Sequence, residues 1–219
     1  GADVAICDGG NTTLGGSASA YSGTNQLVFQ DFESSITGWT FSNTAPAAAA
    51  WNWVYNPYPS YSGTVYSGSP SIIIADSDLG GGSGTTTMIS PSINTVGFTT
   101  LSLNFRQYYN VYSGTDAANV EVSTNGSSWT NVATYTTDQG ALTNFLSTTI
   151  NLNTYVGNAT LYIRFRYVHN NDDAWAIDNV TLSGNKVLPI TYSWSPSTGL
   201  SATNIANPVA SPSSTQTYT

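Results

Sequence analysis

The chain has 219 residues, a formal net charge of −8, and charged side chains at only 7% of positions. Four basic residues cannot build the positive surface that phosphate recognition needs, which excludes nucleic acid as a partner and disfavours anionic membrane surfaces. Hydrophobic residues still make up 40% of the chain and aromatics 12%, so a folded core is affordable and disorder is not expected.

In chain order, residues 4–16 (VAICDGGNTTLGG) read as two short strands around an Asp-Gly turn, and 17–26 (SASAYSGTNQ) as a linker. A strand is predicted at 27–33, followed by Gly38-Trp39 and an alanine run at 47–50. Residues 51–66 (WNWVYNPYPSYSGTVY) are aromatic, and their two prolines argue against a central strand. A strand at 71–76 precedes a Gly-rich loop and the segment TTTMISP. At 100–107, Leu101, Leu103 and Phe105 alternate onto one face. The Asn125-Gly126 turn joins strands at 119–123 and 129–132 into a hairpin. Strands at 146–152, 160–168 and 174–182 follow, with Leu161, Ile163, Phe165 and Tyr167 on one face and Tyr162, Arg164 and Arg166 on the other. Residues 190–219 are short-stranded, nearly uncharged and punctuated by proline. Long amphipathic helical patterns are absent, so the fold class is all-β, an antiparallel sandwich.

No stretch is long and apolar enough to cross a bilayer, and no signal peptide is present, so the chain reads as a mature product or a segment of a longer one. Cys7 is the single cysteine and rules out an internal disulfide; it reads as a small buried hydrophobe. Catalysis finds little support. Glu33 and Glu121 are the only glutamates, His169 is the only histidine, and no GxSxG nucleophile elbow is present. A glycosidase-type carboxylate pair is the one enzymatic alternative, with no motif behind it. His169 is expected at the surface or on an edge strand.

Six stretches then stand out in order: DFE at 31–33 with Gly38-Trp39, IIIADSD at 72–78, MISPSI at 88–93, LSLNF at 101–105, VEVSTNGSSW at 120–129 and AWAIDNVTL at 174–182. Together they resemble the MAM-like, cleaved-adhesin jelly-roll modules of bacterial surface proteins. Residues 190–219 resemble the later part of an Ig-like (PKD-like) repeat of Bacteroidota gliding-motility proteins and surface adhesins, and 4–16 resemble its earlier part. The implied organisation is an Ig-like domain begun by 1–26 and completed by 185–219, with a jelly roll at 27–184. Insertion of the jelly roll into the Ig-like host is favoured over a tandem of partial repeats. The implied function is a non-enzymatic, extracellular or cell-surface adhesin module with a spacer or ligand-presenting role. Its partners would be neighbouring repeats or identical subunits of a filament, with surface glycans as a further ligand class; the alternative is a carbohydrate-binding module of a secreted enzyme. The chain reaches Thr219 in what reads as mid-strand, so a continuing chain or a neighbouring subunit is expected to complete the sheet.

The resemblance also implies calcium, held by the Glu of the FE motif, Glu33, and the Asp of the I-D-N motif, Asp178. First and last strands of a jelly roll are neighbours, and oxygen-only ligation suits that ion. Asp76 and Asp78, two apart before the Gly-rich loop, are candidate added ligands; the plain alternative is that all four are solvated turn residues. For ligand contact, Trp51, Trp53, Tyr55 and Tyr58 would stack on sugar rings, unless they simply fold over the sandwich edge as packing.

Overall fold

The computed structural model describes residues 9–19, 22–44, 49–55, 71–77, 82–111, 115–170 and 174–219. Two compact units emerge: Gly1–Ser22 with Val187–Thr219, and Gly23–Lys186. Among the described residues there is no α-helix.

The first unit is built from both ends of the chain. Strand β1 (Thr12–Thr13) pairs antiparallel with β13 (Val209–Ala210). The backbone N–H groups of Leu14 and Gly16 then donate to the carbonyls of Pro208 and Ala206 at 2.9 and 2.8 Å. Gly16 is required here, because a Cβ would stand 2.9 Å from the Ala206 carbonyl oxygen and against the rings of Tyr192 and Trp194. At the far end, Ser195 and Thr219 exchange reciprocal backbone bonds of 2.8 Å. The predicted strand at 4–7, including Cys7, lies outside the described residues.

The second unit is a sandwich. One sheet has six strands, in the order β10 (Leu146–Asn151), β7 (Ser102–Tyr109), β12 (Ala174–Val187), β5 (Ser71–Asp76), β4 (Trp51–Tyr55), with β2 (Ser22–Gln30) also paired to β12. The other has five: β3 (Thr40–Asn43), β6 (Ser83–Ile89), β11 (Tyr162–Asn170), β8 (Ala117–Ser123), β9 (Thr130–Tyr135). The pairings along both of these strand orders are antiparallel.

Strand alternation builds the core between the sheets. Leu103 and Phe105 from β7 meet Ile163, Phe165 and Tyr167 from β11, all buried. Phe165 sits edge-on to Phe105 at 5.3 Å and to Trp175 at 5.8 Å. The two motifs near the start of the unit serve this core. Phe32 and Trp39 meet at 6.2 Å with their rings tilted, and Trp39 reaches Phe165 at 6.4 Å. A buried polar relay crosses the same interior: Trp175 Nε1 donates to Gln107 Oε1 at 3.0 Å, and Gln107 Nε2 donates to Thr148 Oγ1 at 2.9 Å. Strand β5 is buried along its whole length, because Ile72 and Ile74 join a second apolar cluster with Tyr108, Phe145, Ala174 and Ala176.

Two expectations change. The segment read as a linker contains the start of β2: composition favours a loop, but the pairing with β12 supplies the hydrogen bonds. His169 is not at an edge. It is 1% exposed on β11, a strand paired on both sides, and its ring lies 5.1 Å from Tyr167. Its odd number puts it on the inward face with Ile163, Phe165 and Tyr167.

Candidate functional site

Strand β12 changes neighbour along its length. β7 follows one edge from Trp175 to Ser183, while β5 holds the other edge only from Ala174 to Ile177. Beyond Ile177 the partner on that side is β2, whose Thr24 Oγ1 donates to Asn185 Oδ1 at 3.0 Å. At the changeover β12 bulges: the register to β7 shifts between Asp178 and Thr181. Asn179 takes a left-handed φ of 52°, which asparagine tolerates better than most residues. The bulge inverts the side-chain parity, so Trp175 and Ile177 before it and Val180 and Leu182 after it all face the core.

Of the two carboxylates expected to share a cation, Asp178 lies in this bulge and Glu33 follows β2, near the first residue of β5. Asp178 is fully buried; its Oδ1 accepts the Asn179 backbone N–H at 2.8 Å and its Oδ2 accepts Asn179 Nδ2 at 2.9 Å. Glu33 arrives from the turn after β2. Phe32, with φ of 58° and no exposure, pins that turn to the core, and Asp31 Oδ1 accepts the Glu33 N–H at 3.2 Å. Ser71, the first residue of β5 and two positions beyond the last β5–β12 pair, donates its hydroxyl to the Phe32 carbonyl at 2.6 Å and approaches Glu33 Oε2 at 3.3 Å. Trp53 Nε1 also donates to the Phe32 carbonyl, at 2.6 Å. Phe32 and Asn179 are the only non-glycine residues with positive φ among those described, and each adjoins one of the two carboxylates. Strained backbone of this kind persists where the surroundings over-determine it.

The oxygens that meet at Ser71, from the Glu33 carboxylate, the Ser71 hydroxyl and the Phe32 carbonyl, are of the kind that suit a hard cation. Among the described residues no three Asp, Glu, His or Cys side chains converge, so an ion would take its remaining ligands from hydroxyl and backbone oxygens. Arg106 stands opposite Asp178 in the β7 ladder.

Asp76 does not join them. It is buried at the other end of β5, five residues from Ser71, about 17 Å along an extended strand. Asp78 and Tyr58 lie outside the described residues, and Tyr55 is described only as the last residue of β4. Trp51 is 6% exposed and packs on Trp175 at 5.4 Å, so its ring is a core element with no face to offer a sugar. Trp53 is half-buried against the same core.

A second side-chain cluster, not foreseen from the sequence, occupies the outer face of the five-stranded sheet. Glu121 on β8 is register partner to Arg164 on β11. Arg164 Nε donates to Glu121 Oε2 at 2.6 Å and Arg166 Nε to Oε1 at 2.9 Å. The Arg164 guanidinium lies 4.1 Å from the Trp129 ring centre. Alternation had assigned both arginines to that face; the glutamate opposite becomes visible only with the register.

The architecture defines the class: an antiparallel jelly-roll sandwich of the kind found in bacterial adhesin domains. The K1 cleaved adhesin domain of Lys-gingipain from Porphyromonas gingivalis W83 superposes with a TM-score of 0.54 at 15% identity, covering 74% of this chain and 97% of that one. The K3 domain of the same protein gives 0.54 at 13%, covering 73% and 100%. TmCBM61, in complex with β-1,4-galactotriose, gives 0.47 at 14%, covering 67% and 88%. No family model and no curated protein matches the chain.

Proposed function

We propose that the chain is a non-catalytic adhesive module of a secreted or cell-surface protein, its jelly roll locked by calcium and carried on an Ig-like unit. The observation that carries the adhesive reading is the fold itself, shared over essentially the whole length of two cleaved adhesin domains. Pairing of residues 12–16 with 206–210 supports the insertion: both chain ends enter one unit, and 23–186 leaves and returns between them. Neighbouring repeats or identical subunits are its structural partners, and surface glycans its ligand class. Among the described residues no helix is long and apolar enough to cross a membrane.

The junction at Asp178 supports the calcium reading. Glu33 and Asp178 would supply the negative charge, with the Ser71 hydroxyl and the Phe32 carbonyl as nearby oxygens. An ion there would tie the first strand to the last, where β12 passes from β5 to β2 and the ladder is interrupted. Its role is structural, joining segments far apart in sequence.

The adhesive claim is tested by exposing the calcium-loaded chain to printed panels of polysaccharides and matrix proteins. Retention with no release of reducing ends or peptide fragments supports it. Cleavage of any panel member, or no retention on any, contradicts it.

A further inference from the structure

The chain has only four basic residues, and two of them, Arg164 and Arg166, project side by side from β11. Glu121 holds each by its Nε and balances one of the two charges, leaving a local excess of one positive charge on a chain of net −8. Bracing the sheet uses only the Nε atoms. Among the described residues neither guanidinium makes a further side-chain hydrogen bond, so the terminal nitrogens of both remain open to a ligand. The arginine side chains are 18% and 29% exposed, while the glutamate between them is 7% exposed. This is a fixed fork with its donors at the surface.

The surroundings are rigid and partly aromatic. Trp129 stacks on Arg164, and half-buried Tyr162 lies two residues before it on the same face. The Asn125–Gly126 turn backs Tyr162, and that turn is fixed by Gly126 N–H donating to Ser123 Oγ at 2.8 Å and Thr160 Oγ1 donating to the Thr124 carbonyl at 2.6 Å. On the β8–β9 side the outward groups Asn119, Asn131 and Thr134 are uncharged and bonded to one another, and on β6 the register partners of the two arginines are the uncharged Ile89 and Thr87. Planar guanidinium pairs match carboxylates, and flanking aromatic rings match the apolar face of a pyranose.

We propose that Arg164 and Arg166, with Trp129 and Tyr162 beside them, form a binding site for the carboxylate of a uronic acid unit in a polysaccharide. The global charge of −8 repels dense polyanions, so the site favours an isolated acidic unit within a neutral chain. The inference rests on the adhesive reading. It fails separately from it, because a panel can retain the protein through neutral glycans or protein ligands alone.

The test titrates the full chain with a tetrasaccharide carrying one glucuronic acid, with its methyl ester, and with a tetraglutamate peptide. The acid is expected to bind at least about tenfold tighter than the ester, the effect of about one charge-assisted hydrogen bond. The Arg164 and Arg166 Nε–H resonances should shift on binding, and Arg166→Gln should abolish the preference for acid over ester. The resonance shifts are read on the unmutated protein and stand even if the variant folds poorly. Equal affinity for acid and ester, shifts confined to other residues, or tetraglutamate binding as tightly as the acid would each overturn the proposal.

Discussion

The strand-and-turn VFQDFE carries two phenylalanines three residues apart, and the structure gives them opposite fates. Phe29 is 53% exposed, whereas Phe32 is fully buried beneath Trp39 and fixes the turn that delivers Glu33. Truncating a buried phenylalanine to alanine costs about 3–5 kcal/mol, from lost transfer energy and the cavity left behind. For a unit of the size of Gly23–Lys186, each kcal/mol lowers the melting temperature by about 2–4 °C, so Phe32→Ala should lower it by about 6–20 °C. Phe29→Ala, a surface change, should stay within about 0.5 kcal/mol, or about 2 °C. Differential scanning calorimetry of both variants in saturating calcium isolates the packing effect from the ion. Comparable losses in the two variants, or a larger loss for Phe29→Ala, would refute the placement of Phe32 in the core.

Burial pushes the Tyr135 hydroxyl above its ordinary value of 10.0, partly offset by hydrogen bonds with the Gln107 and Thr148 side chains. A raised value in the folded state means a contribution fully present below pH 10 and lost as pH climbs through the raised value. Melts between pH 8 and 11 should therefore show a shallower alkaline decline in Tyr135→Phe than in the parent. Gly184→Ala should be severe, because its Cβ would stand 2.0 Å from the Thr100 carbonyl oxygen; overpacking against backbone costs about 1–3 kcal/mol or more, read as a lower urea midpoint. Gly15→Ala, with nothing within 4 Å, is the neutral comparison.

What could be read without the fold was whatever strand alternation encodes. Leu101, Leu103 and Phe105, and Leu161, Ile163, Phe165 and Tyr167, are inward as their spacing requires. The same rule, carried one step further, places His169 inward; its polarity argued for the surface, and the parity was the better guide. The bulge at Asn179 also leaves a trace in the sequence, since the apolar positions change from odd (Trp175, Ile177) to even (Val180, Leu182). The start of β2 was hidden because Ser22, Gly23 and Thr24 carry no apolar pattern and are extended only by pairing with β12. The sequence leaves Trp51 open to either a ligand platform or edge packing, and the approach of Trp175 settles it as packing. Contacts such as Glu121 with Arg164, 43 residues apart, depend on ladder register and have no local signature.

The proposed calcium at Glu33 and Asp178 would brace the region where β12 exchanges β5 for β2. The decisive measurement is the melting temperature in calcium and in EDTA, for the parent chain and for Glu33→Gln. An ion bound only by the folded state adds RT ln(1 + [L]/Kd), about 2.7 kcal/mol at a hundredfold excess over Kd, or about 5–10 °C for a domain of this size. That gap is expected in the parent chain, and its collapse in Glu33→Gln. Identical melts in calcium and EDTA after exhaustive chelation, or a gap of equal size in Glu33→Gln, would contradict the calcium reading.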